Sequence, residues 1–308
     1  MMTIVVSLLI ILTTVVGFGY LSAAKVAGLV VHPPLATRDS DLKKMKEAGF
    51  DPEAFLKSLP EGENFECTSF DGTVLRGTVY RTGEKGVCVF CHGWNGNSFE
   101  MTKYGPYYRN MGFSLVFYDH RYSGENAGRG VLCTMGQNES RDLVCVCNHV
   151  KTVFPPGTKL VLHGESMGAS CVLMAAPYIE NLCFCVSDCA YSSMRREIIH
   201  LIKARKVPVY PIISLTSLIL KLRYKVDMNS VEPVRSVSGI ECPVLFIHGE
   251  GDSFVPSSMA GELYEAKKTG VRELEMFDNP YHAVTVLRFP AEYGKKLETF
   301  AEKNCFDE

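Results

Sequence analysis

Short runs of consecutive apolar residues, bounded by glycine and polar turns, recur along most of this chain. They are Gly86 to Cys91, Ser114 to Asp119, Lys159 to His163, Leu182 to Ser187, Val244 to His248 and Glu273 to Phe277. Continuous rather than alternating apolar runs mark strands covered on both faces. Between them, Tyr104 to Met111, Glu139 to Val153, Met167 to Ala176 and Ser257 to Lys268 carry helical spacing and serve as crossovers. Ahead of them, Phe65 to Arg81 reads as a hairpin about the turn Asp71-Gly72. The alternation predicts an α/β fold over residues 64–308, a mostly parallel sheet flanked by helices. One stretch breaks the rhythm. Tyr191 to Gly239 is far longer than an ordinary crossover and predicts a helical cap insertion. Its apolar middle, Val207 to Lys221, is too short for a membrane span. It reads either as helices packed over the sheet or as a lid that lines an acyl pocket or touches lipid.

The N-terminal pattern differs. Ile4 to Ala24 is 21 residues without a charge, long enough as a helix to cross a hydrocarbon core of about 30 Å. Residues 1–24 are expected to form a single transmembrane anchor. The competing reading is a cleaved signal peptide with Ser22 and Ala24 before the cut, but Met1, Met2 and Thr3 supply no basic residue. Residues 25–63, with Pro33, Pro34, Pro52 and Pro60 and a short helix around Ser40 to Ala48, are expected as a connector. Lys25, Arg38, Lys43, Lys44 and Lys46 all follow the segment and lean toward a cytoplasmic catalytic domain.

Composition narrows the partners. The 308 residues suit one catalytic domain. A net charge of -2 with no long run of like charge gives no electrostatic grip on nucleic acid. Many of the twelve cysteines lie in apolar runs (Cys88, Cys91, Cys183, Cys185) and read as small buried hydrophobes, with no disulfide framework. Cys145/Cys147 and Cys183/Cys185 are C-x-C pairs inside apolar segments with no H-x-x-x-H spacing beside them, so no metal site is expected.

The chemistry centres on Gly164-Glu165-Ser166-Met167-Gly168, directly after an apolar strand and before an apolar helix. That context suits a nucleophile elbow, in which a sharp turn lifts Ser166 above the sheet edge. A serine hydroxyl needs a base within reach and a third group to orient it. Past the cap, Val244 to His248 runs into a polar loop presenting Asp252, the candidate acid. The next strand runs into Asp278-Asn279-Pro280-Tyr281-His282, and His282 alone among the eight histidines follows Asp252. It is the candidate base. Asp188 at another strand end is the rival acid, with Glu250 and Asp278 ranked below it. Two backbone N–H groups are candidate oxyanion donors: that of Met167, and that of Trp94 in His92-Gly93-Trp94-Asn95-Gly96. Asp119-His120-Arg121-Tyr122-Ser123-Gly124 reads as a structural turn on the same edge.

The ordered set His92-Gly93, Asp119-His120-Arg121, Gly164 to Gly168, His248-Gly249 with Asp252 and Val255-Pro256, and His282 resembles the α/β-hydrolase superfamily. More narrowly, it is similar to membrane-anchored bacterial hydrolases of the serine aminopeptidase-like kind, related to protein-depalmitoylating hydrolases. The resemblance spans roughly Phe65 to Ala301. It departs where Asn279-Pro280-Tyr281 replaces the small residues usual before the base. It implies an α/β-hydrolase fold with a helical cap, and two-step acyl transfer through Ser166 and His282 without metal or organic cofactor. The expected activity is that of a serine hydrolase on carboxylic esters or thioesters, with a small-molecule or lipid-like acyl substrate. A serine peptidase on short peptides, with Glu197 of the cap receiving the substrate amine, and a catalytically silent binding protein are the alternatives.

Overall fold

The computed structural model describes residues 2–306, and the side chains of residues 2–5, 8–15 and 306 lie outside that description. Eight strands form one sheet: β1 (Glu63–Thr68), β2 (Val74–Tyr80), β3 (Gly86–Cys91), β4 (Phe113–Tyr118), β5 (Leu160–Glu165), β6 (Leu182–Asp188), β7 (Val244–Gly249) and β8 (Arg272–Phe277). Their order is β1-β2-β4-β3-β5-β6-β7-β8. The hairpin β1–β2 and the β2–β4 pair are antiparallel, and every other pair is parallel.

The helices are α1 (Met2–Val31), α2 (Arg38–Glu47), α3 (Pro52–Lys57), α4 (Gly105–Asn110), α5 (Glu139–Val153), α6 (Met167–Ala175), α7 (Met194–Ala204), α8 (Ile212–Tyr224), α9 (Pro233–Ser236), α10 (Ser258–Ala266), α11 (Thr285–Arg288) and α12 (Pro290–Ala301). Within the buried runs, successive side chains alternate between two cores, as the pleat requires. Val87, Val89 and Cys91 of β3 face one core with Leu143 of α5, Cys171 of α6 and Leu263 of α10. Cys88 and Phe90 face the other with Tyr108 of α4 and Leu297 of α12. Both faces are therefore covered. The sheet's functional edge is the one where β3 to β8 all end, and ligands of such sheets bind outside the carboxyl ends of the strands.

The cap between β6 and β7 contains α7, α8 and α9. The residues expected as a connector pack onto the domain. Phe55 and Met45 are buried, Asn97 Nδ2 donates to Asp41 Oδ2 at 2.7 Å, and Lys44 pairs with Glu100 at 3.0 Å. The first helix runs unbroken past Ala24 to Val31, burying Ala23, Ala27, Val30 and Val31 in the main core. The expected span Ile4 to Ala24 falls largely on residues whose side chains lie outside the described ones. Among the described residues no helix is long and apolar enough to cross a membrane.

One cysteine expectation is corrected. Cys183 is not a free apolar filler but forms a disulfide with Cys305, 122 residues away, because the C-terminal turn Glu302–Phe306 folds back against β6. The other ten cysteines are free.

Candidate active site

The turn from β5 into α6 puts Ser166 at φ 55, ψ -119, backbone that a side-chain-bearing residue adopts only when its surroundings force it. The force comes from close packing on both sides. A Cβ on Gly164 would sit 2.5 Å from Ala169 Cα, and one on Gly168 would sit 1.9 Å from Cys91 O and 2.5 Å from His92 O. Only glycine lets α6 lie this close to β5 and to the end of β3. Ser166 itself precedes the first turn of α6, so the unpaired N–H groups and positive end of that helix face the same space.

Loops after β7 and β8 complete the set. His282 Nε2 lies 2.8 Å from Ser166 Oγ, and His282 Nδ1 lies 2.6 Å from Asp252 Oδ2. Asp252 Oδ1 accepts from the backbone of Phe254 and Val255 at 2.9 and 3.0 Å. Burial alone would raise the Asp252 carboxyl, but hydrogen bonds from His248 and His282 hold it well below the usual carboxylate range. It is therefore a carboxylate at neutral pH. The structure thus brings Ser166, His282 and Asp252 into one relay.

Asp188 goes elsewhere. Its Oδ2 accepts from Tyr104 at 3.0 Å and from Tyr293 at 2.9 Å, and burial, with Glu165 beside it, lifts its pKa to about 6. Only its backbone serves the turn, accepting from Ser166 N at 2.8 Å. Glu250 and Asp278 are exposed. Asn279, in the stretch that departs from the family pattern, is fully buried. It donates to Tyr281 O at 2.9 Å and Thr285 Oγ1 at 3.1 Å, and this pins the loop that presents His282.

The loop after β3 passes over the serine: a Cβ on Gly93 would lie 3.5 Å from Ser166 Cβ. Trp94, Ser166 and Met167, the two expected oxyanion residues and the nucleophile, line one cavity. Several residues that the sequence reading left as structural hold this loop. His92 Nδ1 donates to Gly93 O at 2.8 Å, and its Nε2 accepts from His120 N at 3.0 Å and lies 2.8 Å from Ser123 Oγ. Burial, then the neighbouring His120, pushes the His92 pKa well down, so it stays neutral and keeps that acceptor. Tyr122 donates to Trp94 O at 2.6 Å. Arg121 makes a fork of bonds to Asp142 at 2.7 and 2.6 Å and reaches Asp71 at 2.8 Å, which ties the next loop to α5 and the hairpin. Beneath the serine, Glu165 pairs with buried Lys103 at 2.6 Å. Lys103 also donates to Ala283 O at 3.3 Å, beside His282.

No metal was expected, yet Cys91, His120 and Cys171 bring their ligand atoms within 4.8 Å of one another behind this loop. Two of the three are already engaged. His120 Nε2 lies 2.9 Å from His92 O, and Cys91 Sγ lies 3.2 Å from Tyr118 Oη. All three side chains are buried behind the loop that follows β3.

Ser166 opens into a cavity of about 330 Å³ lined mainly by apolar side chains, among them Val26, Ile198, Leu201, Ile202 and Ile212. Its polar lining residues include Ser22, Lys25, Arg205 and Glu197 of α7, and Glu197 is 1% exposed, with neither carboxyl oxygen bonded to any described group. Burial, with the charge of Asp252, raises its pKa from 4.5 to about 8. The folded chain therefore holds the Glu197 proton where the unfolded chain has lost it, between about pH 4.5 and 8. Its contribution to stability is complete below pH 4.5 and declines as pH rises to 8. Relative to Glu197→Gln, wild type is expected to lose on the order of 5 kcal/mol across that window. Thermal unfolding of both proteins from pH 4 to 9 measures it, and parallel curves would exclude a buried, protonated Glu197.

An eight-stranded, mostly parallel sheet with a serine at its central strand-to-helix turn, and an imidazole and a carboxylate from the last two strand ends, defines an α/β-hydrolase. Residues 82–190 match the family described as serine aminopeptidase, S33. The chain is 30% identical over 217 residues to the Bacillus subtilis protein YqkD, covering 70% of each. It is 24% identical over 184 residues to the Saccharomyces cerevisiae membrane protein YNL320W, covering 59% of each. Among solved structures, the Pyrococcus furiosus esterase Pf2001 superposes with a TM-score of 0.70 at 20% identity, covering 90% of this chain and 98% of the esterase. An acylaminoacyl peptidase of Pyrococcus horikoshii gives 0.62 at 17% identity, covering 84% and 45%. These two share the fold. The chain belongs to the same family as YqkD, and its fold is that of the α/β-hydrolases.

Proposed function

We propose that this protein is a serine hydrolase of carboxylic esters or thioesters with long, lipid-like acyl groups. The observation that carries the reading is that the Ser166 hydroxyl, bonded to His282, opens directly into an apolar cavity of about 330 Å³. Ser166 Oγ attacks the acyl carbonyl while His282 Nε2 takes its proton. Asp252, ionised, holds the Nδ1–H of His282 and stabilises the imidazolium. The N–H groups of Met167 and Trp94 meet the developing oxyanion. His282 then protonates the departing alcohol or thiol, and water, activated by the same imidazole, releases the acid from Ser166.

The N-terminal segment is the membrane anchor in this reading, supported by its 21 uncharged residues in one continuous helix. In the same reading the basic residues that follow it favour a cytoplasmic domain. The ten free cysteines accord with that side, and the single Cys183–Cys305 bridge does not.

A second reading rests on Glu197. Its unpartnered carboxyl in the serine's own cavity would ionise against a substrate amine, as an aminopeptidase requires. Fluorophosphonate labelling, nitrophenyl esters of increasing chain length and aminoacyl nitroanilides, each compared with Ser166→Ala, separate the two. Ser166-dependent turnover that rises with acyl length is expected. Turnover of nitroanilides alone would transfer the assignment to the peptidase, and no Ser166-dependent reaction at all would leave a silent binding protein.

A further inference from the structure

One helix contributes more to the cavity wall than its expected role as an anchor calls for. Phe18, Ser22, Lys25, Val26, Leu29 and Val30 of α1 all line the cavity that contains Ser166. Their spacing puts them on one stripe of the helix. An adjoining stripe of small residues lies against α8: a Cβ on Gly19 would sit 3.6 Å from Pro211 Cγ and 3.8 Å from Leu215 Cδ1, and Ala23 and Ala27 are fully buried. Small residues at every fourth position let two helices approach closely enough to share such a wall. The end of α1 is also tied to the oxyanion loop. Trp94 Nε1 donates to Val30 O at 3.3 Å, and Ala36 N donates to Asn95 O at 2.8 Å.

The outer side of the same helix pair is apolar and uncovered. Phe18 and Leu21 on α1 are 62% and 68% exposed, and Leu218 and Leu222 on α8 are 52% and 64% exposed. Phe18 and Leu29 belong both to this exposed surface and to the cavity lining. Two exposed cations, Lys25 and Arg205, stand at the cavity's rim. Apolar residues flanked by basic ones suit the boundary between acyl chains and anionic headgroups.

We propose that α1 is the acyl-selecting wall of the active site, and that a long unbranched acyl chain enters the cavity along it, directly from the bilayer. This rests on the esterase or thioesterase reading and adds to it the source of the substrate and the residues that measure its length. The stretch of α1 before Lys25 and the outer face of α8 lie in one leaflet, Lys25 and Arg205 sit at headgroup level, and the chain slides past Phe18 and Leu29 toward Ser166. Each methylene buried in the cavity raises kcat/KM by about fourfold until the wall is filled.

The test uses the full chain in nanodiscs of phosphatidylcholine and phosphatidylglycerol, assayed with nitrophenyl butyrate, octanoate and laurate. Val26→Trp fills the cavity from the α1 side and is expected to lower the laurate-to-butyrate ratio of kcat/KM at least tenfold. Leu29→Glu, at a partly exposed position that tolerates a charge, is expected to lower the same ratio and carries the test should Val26→Trp fail to fold. An S-palmitoyl peptide and a palmitoyl lysophospholipid in the same discs tell a protein-borne chain from a lipid-borne one, and turnover of either supports the proposal. Ser166-dependent ester hydrolysis with a chain-length profile unmoved by Leu29→Glu overturns it. Loss of all Ser166-dependent hydrolysis in the wild type instead removes the esterase reading on which it stands.

Discussion

Asp252→Asn is expected to lower kcat/KM by about 10⁴, while Asp188→Asn leaves activity within about tenfold of wild type. The asymmetry follows from what each carboxyl holds. Asp252 Oδ2, at 2.6 Å from His282 Nδ1, fixes the tautomer that leaves Nε2 free to take the proton of Ser166. An amide at this position can donate to Nδ1, and the proton then sits on Nε2, where it blocks general base catalysis. Asp188 meets only Tyr104 and Tyr293 through its side chain, and its link to Ser166 runs through its backbone carbonyl, which asparagine keeps. Ser166→Ala sets the floor, at a loss of roughly 10⁴ to 10⁶. Ester hydrolysis rates for the three variants, with matched thermal midpoints, decide the matter. Equal losses in both aspartate variants would mean that the base is oriented by the buried network and not by Asp252.

That contrast also marks where sequence reading reaches its limit. Ser166 was legible because the elbow is local: glycine, serine and glycine at fixed offsets after an apolar strand dictate one backbone path. The strands were legible within a residue or two, because burial on both faces leaves an unbroken apolar run, as in Gly86–Cys91. Choosing between Asp252 and Asp188 required more, since parallel strands deliver every following loop to the same edge and only side-chain reach separates them. The Cys183–Cys305 pair was hidden for a similar reason, as 122 residues of intervening chain leave no local trace of the pairing. The loop clamp of His92, Ser123 and Tyr122 was visible only as a polar turn, because its bonds join two loops whose register is set by β3 and β4. The first helix shows the limit most plainly. An uncharged apolar run records that the segment leaves water, and the same residues serve a bilayer, a packed core or a pocket wall equally well.

Gly168→Ala is expected to be the most damaging single-methyl change in the chain, destabilising the fold by about 3 kcal/mol and cutting kcat/KM by roughly 10² to 10³ in whatever protein folds. The added carbon would lie 1.9 Å from Cys91 O and 2.5 Å from His92 O, both backbone atoms that cannot rotate away. Relief requires moving either α6 or the end of β3. Moving α6 shifts Ser166 and the Met167 N–H together; moving β3 shifts the loop that carries the Trp94 N–H. Either path pulls the two oxyanion donors apart, and movement of β3 does so while leaving the hydrogen bond of His282 to Ser166 unbroken. The variant should therefore keep fluorophosphonate labelling at a reduced rate and lose turnover more steeply than labelling, a separation that removal of the base would not produce. A Gly168→Ala protein with wild-type stability and turnover would show that α6 and β3 are not in the contact from which the elbow's geometry has been derived.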